Sequence, residues 1–396
     1  MGMANSRNNL KLVSYIPHGA VPDTRGFSPS IVAYNLTKNF KQVSAVTICN
    51  REAYKKNYEV DPGIGPIYRI KEGRMYRRLF RKITRFDPYP LHARAAKIVD
   101  RILPDIFHAH QVEFPVGDFL KKITGPIPVI VHAHVTNRTF NYKWGVADRY
   151  IAVSNYVKEQ LAQKGYPEDR IALIHNGVDS TLFKPAQAME KMSIKRALRM
   201  PEEAFVVSFI GRMQEVKGFH IFLQAAETLL SKYPRIYVVA AGPEPDAAKR
   251  DRSYGARMDI RMRLRAGYEE RYREFSSLPH SELSNIYKIT DVSFLPSLSE
   301  PQGMVMIESM ASGCITVSSN VGGIRESISN GTTGFLLDDP NNVDEGVQLI
   351  EELAQHSEKY ENIKRSAREF AKNNFDWATS AGKLEKLCLA VINEAQ

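Results

Sequence analysis

Two glutamates stand eight residues apart in residues 299–313, SEPQGMVMIESMASG. Such carboxylates could form an acid–base pair, but eight residues of helix would separate the backbones of Glu300 and Glu308 by ~12 Å, against ~5–5.5 Å between the carboxyl groups of a retaining glycosidase. Carboxylates also accept hydrogen bonds from neighbouring hydroxyls. The spacing therefore favours two carboxylates that hold different parts of one ligand.

Two stretches where an apolar run ends in a turn carry groups that could bind an anion: basic side chains in the first, and the backbone N–H groups of a helix start in the second. In GRMQEVKG, Gly211 ends an apolar run, Arg212 lies at the turn and Lys217 opens a helical pattern. Arginine can bind a diphosphate with a fork of donors and lysine with a point charge, although solvated bases on a surface turn are the alternative. Gly303 precedes a second helix near Met304, whose first-turn N–H groups favour a phosphate or a sugar hydroxyl. The two stretches predict a site for a nucleotide sugar.

Two His-x-His pairs, His108/His110 and His132/His134, stand at the ends of apolar runs. Alternation along a strand puts both members of a pair on one face, as metal ligands can be arranged. No nearby cysteine or carboxylate completes a ligand shell. The pairs therefore predict a role in a ligand cleft for at least one histidine, with a zinc site as the alternative.

Short β-branched runs alternate with longer helical patterns, which predicts an α/β protein with parallel sheets covered on both faces. A turn-rich break, NGVDSTLFKPAQAME, separates the two halves. We expect two doubly wound domains that face each other across a cleft, with ligands outside the carboxyl ends of the strands. The predicted strands are KLVSYI, QVSAVTI, DIFHAH, PVIVHAH, RYIAVS and RIALIH in the first half, and FVVSFIG, RIYVVAAG, DVSFLPS, CITVSS and GFLLDD in the second.

Composition excludes several functional classes. A chain of 396 residues with 43% hydrophobic and 25% charged residues is typical of a soluble protein of two domains. It lacks an apolar run of ~18 residues, a secretory leader and a cysteine framework, so we expect a cytoplasmic protein. No phosphate-binding P-loop, complete dinucleotide fingerprint or nucleic-acid module is visible, which argues against a P-loop kinase, a nicotinamide dehydrogenase and a nucleic-acid partner.

The sequence also resembles a known family. GRMQEVKG and DVSFLPSLSEPQGMVMIESMASGCITVSSNVGGIRESISNGTTGFLL closely resemble the nucleotide-diphospho-sugar glycosyltransferases of glycosyltransferase family 4, and DIFHAH, VIVHAH, RYIAVSNYVKEQL and IHNGVDSTLFKP are similar to that family's first domain. The resemblance implies a GT-B fold of two Rossmann-like domains. It places acceptor binding in residues 1–180, donor binding in residues 181–375, and a final helix, 376–396, that returns toward the first domain.

The resemblance further implies a retaining hexosyltransferase that needs no metal or other cofactor. Its donor would be a nucleotide-diphospho-sugar and its acceptor a hydroxyl of a glycan or lipid-linked saccharide, in bacterial envelope polysaccharide or lipopolysaccharide synthesis. Three alternatives remain: a nucleotide-sugar epimerase or phosphorylase on the same fold, a zinc hydrolase, and a non-catalytic sugar-nucleotide-binding protein.

Matching the family's motifs position by position assigns roles to individual residues. Glu308 matches the carboxylate that holds the ribose, and Glu300 the one that faces the transferred sugar. The implied catalytic residues are Arg212, Lys217, Glu300 and His134; the implied donor-binding residues are Arg25, Gly26, Gly211, Leu278, Gly303, Met304, Val305 and Glu308. Two positions depart from the pattern: Arg25 precedes Gly26 where Gly-Gly is common, and Gln302 replaces an apolar or aromatic residue, which leaves sugar specificity more open.

Basic residues cluster in residues 69–101, which hold eleven Lys or Arg against three acids in a chain of net charge +10. The stretch MYRRLFRKI places apolar side chains on one side of a helix and arginines on the other. This pattern predicts peripheral binding to an anionic membrane surface at its cytoplasmic face. A solvated helix face, or one that meets an acidic acceptor, is the alternative.

Overall fold

The computed structural model describes residues 10–23, 26–52, 54–71, 79–80, 82–83, 90–110, 114–135 and 146–395. The chain divides into two compact units. The N-terminal unit runs to His175 and includes the last helix, Trp377–Ala395, whereas the C-terminal unit is Asn176–Asp376. None of the helices in the described ranges is both long and apolar enough to cross a membrane.

The N-terminal unit is built on an eight-stranded sheet in the order β3-β4-β2-β1-β5-β6-β7-β8. All neighbouring strands are parallel except β3 and β4, which pair antiparallel at one edge. The chain starts in the middle of the sheet and reverses its winding between β1 and β5, so this is the switch point of the unit. In chain order, β1 to β8 are Leu10–Ile16, Val43–Asn50, Tyr58–Asp61, Gly65–Ile70, Ile106–Ala109, Val129–Ala133, Arg149–Ala152 and Ile171–Leu173.

Five of the described helices belong to this unit. They are α1 to α4, Ser28–Lys38, Leu91–Ile102, Val116–Leu120 and Asn155–Gln163, and the C-terminal helix α13, Trp377–Ala395. Helix α13 packs against α1. One carboxylate oxygen of its buried Glu385 accepts hydrogen bonds from the backbone N–H groups of Lys41, Gln42 and Val43 at 2.7–3.0 Å. These bonds tie the end of the chain to the start of β2.

The C-terminal unit contains a six-stranded, fully parallel sheet in the order β11-β10-β9-β12-β13-β14. Counted within the unit, this is the order 3-2-1-4-5-6 of a doubly wound nucleotide-binding sheet, with its switch point between β9 and β12. Strands β9 to β14 are Phe205–Ile210, Ile236–Ala241, Tyr272–Phe275, Val292–Leu295, Ile315–Ser319 and Phe335–Leu337. Helices α5 to α12 are Ala188–Ala197, Phe219–Lys232, Tyr254–Gly267, His280–Ile289, Met304–Ala311, Ile324–Ser327, Val343–Gln355 and Glu361–Asn374.

The predicted α/β class is confirmed, and each predicted run forms a strand. Three further strands, β3, β4 and β11, were not predicted. Their sequences, YEVD, GPIYRI and YREF, carry charged residues or a Gly-Pro start, and their burial is partial. They therefore lack the continuous apolar runs of buried parallel strands.

Candidate functional site

The turn that follows β9 carries two of the proposed phosphate-binding cations. Arg212 is exposed and has no ion-pair partner in the described part of the chain, while Lys217 ends a 3₁₀ turn, Glu215–Lys217. Gly218 then starts α6 with a φ of +69°, and a Cβ there would lie 1.8 Å from the carbonyl oxygen of Pro296. Only glycine allows this approach. The turn after β9 is thereby held against the loop that follows β12, at the switch point of the sheet.

Lys217 and Glu300 form an ion pair across these two loops. The Lys217 Nζ lies 2.5 Å from Glu300 Oε2, and the side chains are only 17% and 12% exposed. The family resemblance assigns the lysine to the diphosphate and the glutamate to the sugar, without predicting that they touch. The ion pair brings a cation and a carboxylate together where the loop after β9 meets the loop after β12.

Helix α9 begins beside this pair with free backbone donors. Gly303 caps it in a left-handed conformation, with a φ of +93°. The N–H groups of Met304 and Val305 have no hydrogen-bond partner among the described residues, as expected for a first helical turn. Together with the helix dipole, they favour an anion or an electron-rich hydroxyl at this point.

Glu308 lies one turn into the same helix and is buried, with 6% of its surface exposed. The Tyr287 hydroxyl is 3.1 Å from both Glu308 Oε2 and the Val305 carbonyl oxygen. Burial raises the pKa of Glu308, and the Tyr287 hydrogen bond acts in the opposite direction. Oε1 of Glu308 has no hydrogen-bond partner among the described residues, so it can accept one from a ligand hydroxyl.

Tyr287 belongs to the candidate site through its contact with Glu308, and no sequence pattern predicts it. It lies on α8, 21 residues before Glu308, and no local motif links the two positions. The only sequence signal is its place on the apolar side of a helix that precedes β12. Its phenol holds the buried carboxylate in one orientation.

The remaining proposed donor-binding residues occupy loops. Leu278 is half-buried, and its backbone N–H and C=O make no hydrogen bond to the described residues, which suits contact with a nucleotide base. Gly211 directly follows β9 with a φ of +152°. Gly26 of the N-terminal unit has a φ of +71°, and its N–H donates to Asp23 Oδ2 at 2.5 Å. Arg25 lies outside the described residues.

The Gln302 side chain makes two hydrogen bonds within the C-terminal unit. Its Oε1 accepts a hydrogen bond from the Asn176 N–H at 2.8 Å, and its Nε2 donates to the Asn176 carbonyl oxygen at 3.1 Å. The side chain is 2% exposed. The replacement of an apolar residue by Gln302 is therefore explained by this double hydrogen bond, which anchors the first residue of the unit to the loop before α9.

Replacing Gln302 with leucine is expected to lower the free energy of unfolding of the C-terminal unit by about 2–6 kcal/mol, because the backbone N–H and C=O of Asn176 both lose their partner at ~1–3 kcal/mol each. Thermal unfolding followed by circular dichroism measures the effect. Gln348→Leu, on the exposed side of α11, is the matched control. Equal midpoints for the two variants would show that the double hydrogen bond does not stabilise the unit.

Four histidines meet at the ends of β5 and β6 in the N-terminal unit. The His110 Nε2 lies 3.1 Å from Ser14 Oγ, and its Nδ1 lies 3.1 Å from His134 Nε2. Neighbouring rings of the cluster have centroids 4.2–5.3 Å apart, and all of these pairs are stacked except the tilted pair His108–His110. Burial lowers the pKa of all four, to about 3 for His108 and His134, so the imidazoles are neutral near pH 7.

Comparison with known families matches both parts of the chain. Residues 30–182 match the family described as Glycosyltransferase Family 4, and residues 190–370 match Glycosyl transferases group 1. The D-inositol 3-phosphate glycosyltransferase of Corynebacterium urealyticum is 30% identical over 216 residues, 50% of this chain and 50% of that protein. The one from Thermobispora bispora is 27% identical over 250 residues, 61% and 56% of the two chains. The chain thus spans about half the length of these curated relatives.

Solved structures extend the likeness to nearly the whole chain. Anabaena HepE in complex with UDP-glucose superposes with a TM-score of 0.77 at 20% identity, covering 96% of this chain and 100% of that one. Sucrose-phosphate synthase from Thermosynechococcus elongatus gives 0.78 at 16% identity, covering 98% and 100%. Both likenesses concern the fold, and they confirm the predicted architecture. The chain belongs to glycosyltransferase family 4 and has the GT-B fold.

Proposed function

We propose that this protein transfers a sugar from a nucleotide-diphosphate donor to an acceptor hydroxyl, with retention of the anomeric configuration. The observation that carries the proposal is the arrangement at the switch point of the C-terminal sheet. There, an ion-paired lysine, free amides at a helix start and a buried carboxylate follow β9 and β12, which are neighbouring strands. The solved structure of HepE with UDP-glucose supports a nucleotide sugar as the ligand class.

Each part of the candidate site can contact a different part of such a donor. Arg212 and Lys217 bind the diphosphate, and the amides of Met304 and Val305 add N–H donors. Glu308 accepts hydrogen bonds from the ribose hydroxyls through its unpaired Oε1. The backbone at Leu278, Gly211 and Gly303 completes the donor contacts.

The reaction needs stabilisation of negative charge more than a protein nucleophile. The bond between the anomeric carbon and the phosphate oxygen breaks, and the acceptor oxygen bonds to the same face of that carbon. The acceptor proton passes to the departing phosphate oxygen. Preorganised cations and a helix dipole stabilise the charge that grows on the phosphate. Glu300 orients the sugar hydroxyls, and the family resemblance assigns His134 to the same sugar.

Acceptor-dependent turnover separates this function from its alternatives. The donor is incubated with and without candidate acceptors, which include inositol phosphates and lipid-linked saccharides, and the product anomer is determined by NMR. We expect nucleoside diphosphate release that requires acceptor, and a product with the anomeric configuration of the donor. An epimerase would change the donor without acceptor, a phosphorylase would require phosphate, and a binding protein would release nothing.

Sugar transfer is expected to continue in the presence of EDTA, at a rate within about twofold of the untreated protein. The reason is that Arg212, Lys217 and the start of α9 supply the positive charge that Mg²⁺ provides to a leaving diphosphate in metal-dependent enzymes. The measurement is initial rate before and after chelation. Loss of activity that zinc or magnesium restores would contradict metal independence and favour a metal-dependent reaction.

We also propose that the basic segment binds the anionic cytoplasmic face of a membrane, where a lipid-linked envelope acceptor would be met. Residues 72–78, 81 and 84–89 of this segment lie outside the described ranges. Among the described members, Leu79 and Ile83 are 62% and 74% exposed, and Lys82 is exposed between them. Exposed apolar side chains next to basic ones suit insertion into a headgroup layer.

The chain is therefore expected to float with anionic liposomes at low salt and to be released by high salt. Reversing Arg77, Arg78, Arg81 and Lys82 to Glu should abolish flotation, because each basic residue contributes ~1 kcal/mol near such a surface. The same charge change at four exposed basic positions of the C-terminal unit is the control: Lys232, Lys359, Arg365 and Lys372. Absence of liposome binding by the unaltered protein at low salt would refute the proposal.

A further inference from the structure

A cluster of histidines occupies the switch point of the N-terminal sheet. Strand pairing sets His108 on β5 beside Ser14 on β1, and His132 lies on the neighbouring strand β6. The rings of His108 and His132 are 5.3 Å apart, and those of His110 and His132 are 5.2 Å apart. Three imidazoles from two adjacent strands therefore face one small volume.

Several nitrogens in this volume lack a partner. His108 Nε2 and both ring nitrogens of His132 are buried and have no hydrogen-bond partner among the described residues. The two residues are each 1% exposed. Unpaired buried polar atoms are costly and call for a group that satisfies them.

The geometry fits a metal ion. One ring nitrogen from each of His108, His110 and His132 lies within 4.8 Å of the other two. Zinc–imidazole bonds of ~2.0–2.1 Å would draw these three nitrogens closer together around one ion. His110 can offer Nε2 if the Ser14 hydroxyl rotates away, because its Nδ1 is already 3.1 Å from His134 Nε2. A metal-bound histidine normally donates its second ring N–H to such a partner.

We propose that His108, His110 and His132 bind one divalent transition-metal ion of the zinc class, and that His134 orients His110. In the part of the chain that the structure describes, no cysteine or carboxylate joins the three, so the fourth position is left to water or an anion. Neutral imidazoles without carboxylates select zinc, cobalt, nickel or copper over magnesium and calcium. The three proposed ligands belong to the N-terminal unit and the proposed phosphate-binding residues to the C-terminal unit, so the metal site can be tested whether or not the protein transfers sugar.

Cobalt titration of the full-length protein tests this site. After chelation and dialysis, Co²⁺ is expected to give the visible absorption of a four-coordinate ion, to saturate at one per chain and to be displaced by Zn²⁺. Saturating Zn²⁺ should raise the thermal midpoint by roughly 3–6 °C, because it binds the folded state only. Mg²⁺ should produce neither effect.

Variants locate the ion. His132→Gln and, independently, His108→Gln should each weaken cobalt binding at least roughly 10- to 100-fold, and His134→Gln should weaken it through His110. His356→Gln, an exposed histidine of the C-terminal unit, is the matched control and should leave binding unchanged. Unfolding of each metal-free variant shows that it is folded. No cobalt spectrum at a molar excess of metal, or equal binding by all four variants, would overturn the proposal.

Discussion

Replacing Lys217 with alanine is expected to slow sugar transfer by roughly 100- to 1000-fold, while the affinity for the donor changes far less. The ammonium meets a diphosphate whose charge grows as the sugar departs, so its interaction is stronger in the transition state than in the bound donor. The ion pair with Glu300, at 2.5 Å, holds the ammonium in one position before any donor binds.

Rates and dissociation constants have to be measured separately to test this. Single-turnover kinetics give the transfer rate, and calorimetry gives donor binding. Lys372→Ala, an exposed lysine at the end of α12, is the matched control and should change neither. Arg212→Ala should resemble Lys217→Ala in direction. If Lys217→Ala weakened donor binding but left the transfer rate at saturating donor unchanged, the lysine would act through uniform binding alone.

Replacing Glu308 with glutamine is expected to weaken binding of the free nucleoside diphosphate by roughly 10- to 100-fold, because a charged acceptor of ribose hydroxyls is lost. The loss should be as large without the sugar as with it. Tyr287→Phe should weaken binding in the same direction but less, since it frees the carboxylate to rotate without removing it. Glu358→Gln, exposed in the same unit, serves as the control and should bind normally.

Glu300→Gln should show the opposite pattern to Glu308→Gln. Transfer from the intact donor should fall, whereas binding of the free nucleoside diphosphate should be nearly kept. This contrast tests the division of the two carboxylates between ribose and sugar. Exchanged phenotypes would mean that the two roles are assigned the wrong way round.

Much of the fold follows from local patterns in the sequence. Runs such as FVVSFIG and PVIVHAH are continuous enough to predict buried parallel strands, and the order of strands and helices predicts doubly wound sheets. Strands β3, β4 and β11 could not be found in this way, because YEVD, GPIYRI and YREF mix charged and apolar residues, and they lie at or next to a sheet edge. Their formation depends on pairing with strands that are already in place.

The residues of the candidate site could likewise be predicted from local patterns, whereas the contacts between them could not. Arg212, Lys217 and the two glutamates stand out because cations and carboxylates follow apolar runs. The contacts within the site could not be predicted from the sequence. Lys217 and Glu300 are 83 residues apart in the chain, and Gln302 and its partner Asn176 are 126 apart. Such contacts form when segments that are distant in the chain pack together, and no local pattern predicts them.

Titration of sugar nucleotides in EDTA tests the central claim most directly, which is that the C-terminal unit binds a nucleotide-diphospho-sugar through Arg212, Lys217 and Glu308 without a metal. UDP-, GDP- and ADP-sugars are compared by calorimetry on the full-length protein. We predict that at least one class binds at one site per chain, and that Glu308→Gln weakens that binding while Glu358→Gln does not. A protein that binds none of the three classes in EDTA, or binds one equally well in both variants, would contradict the account.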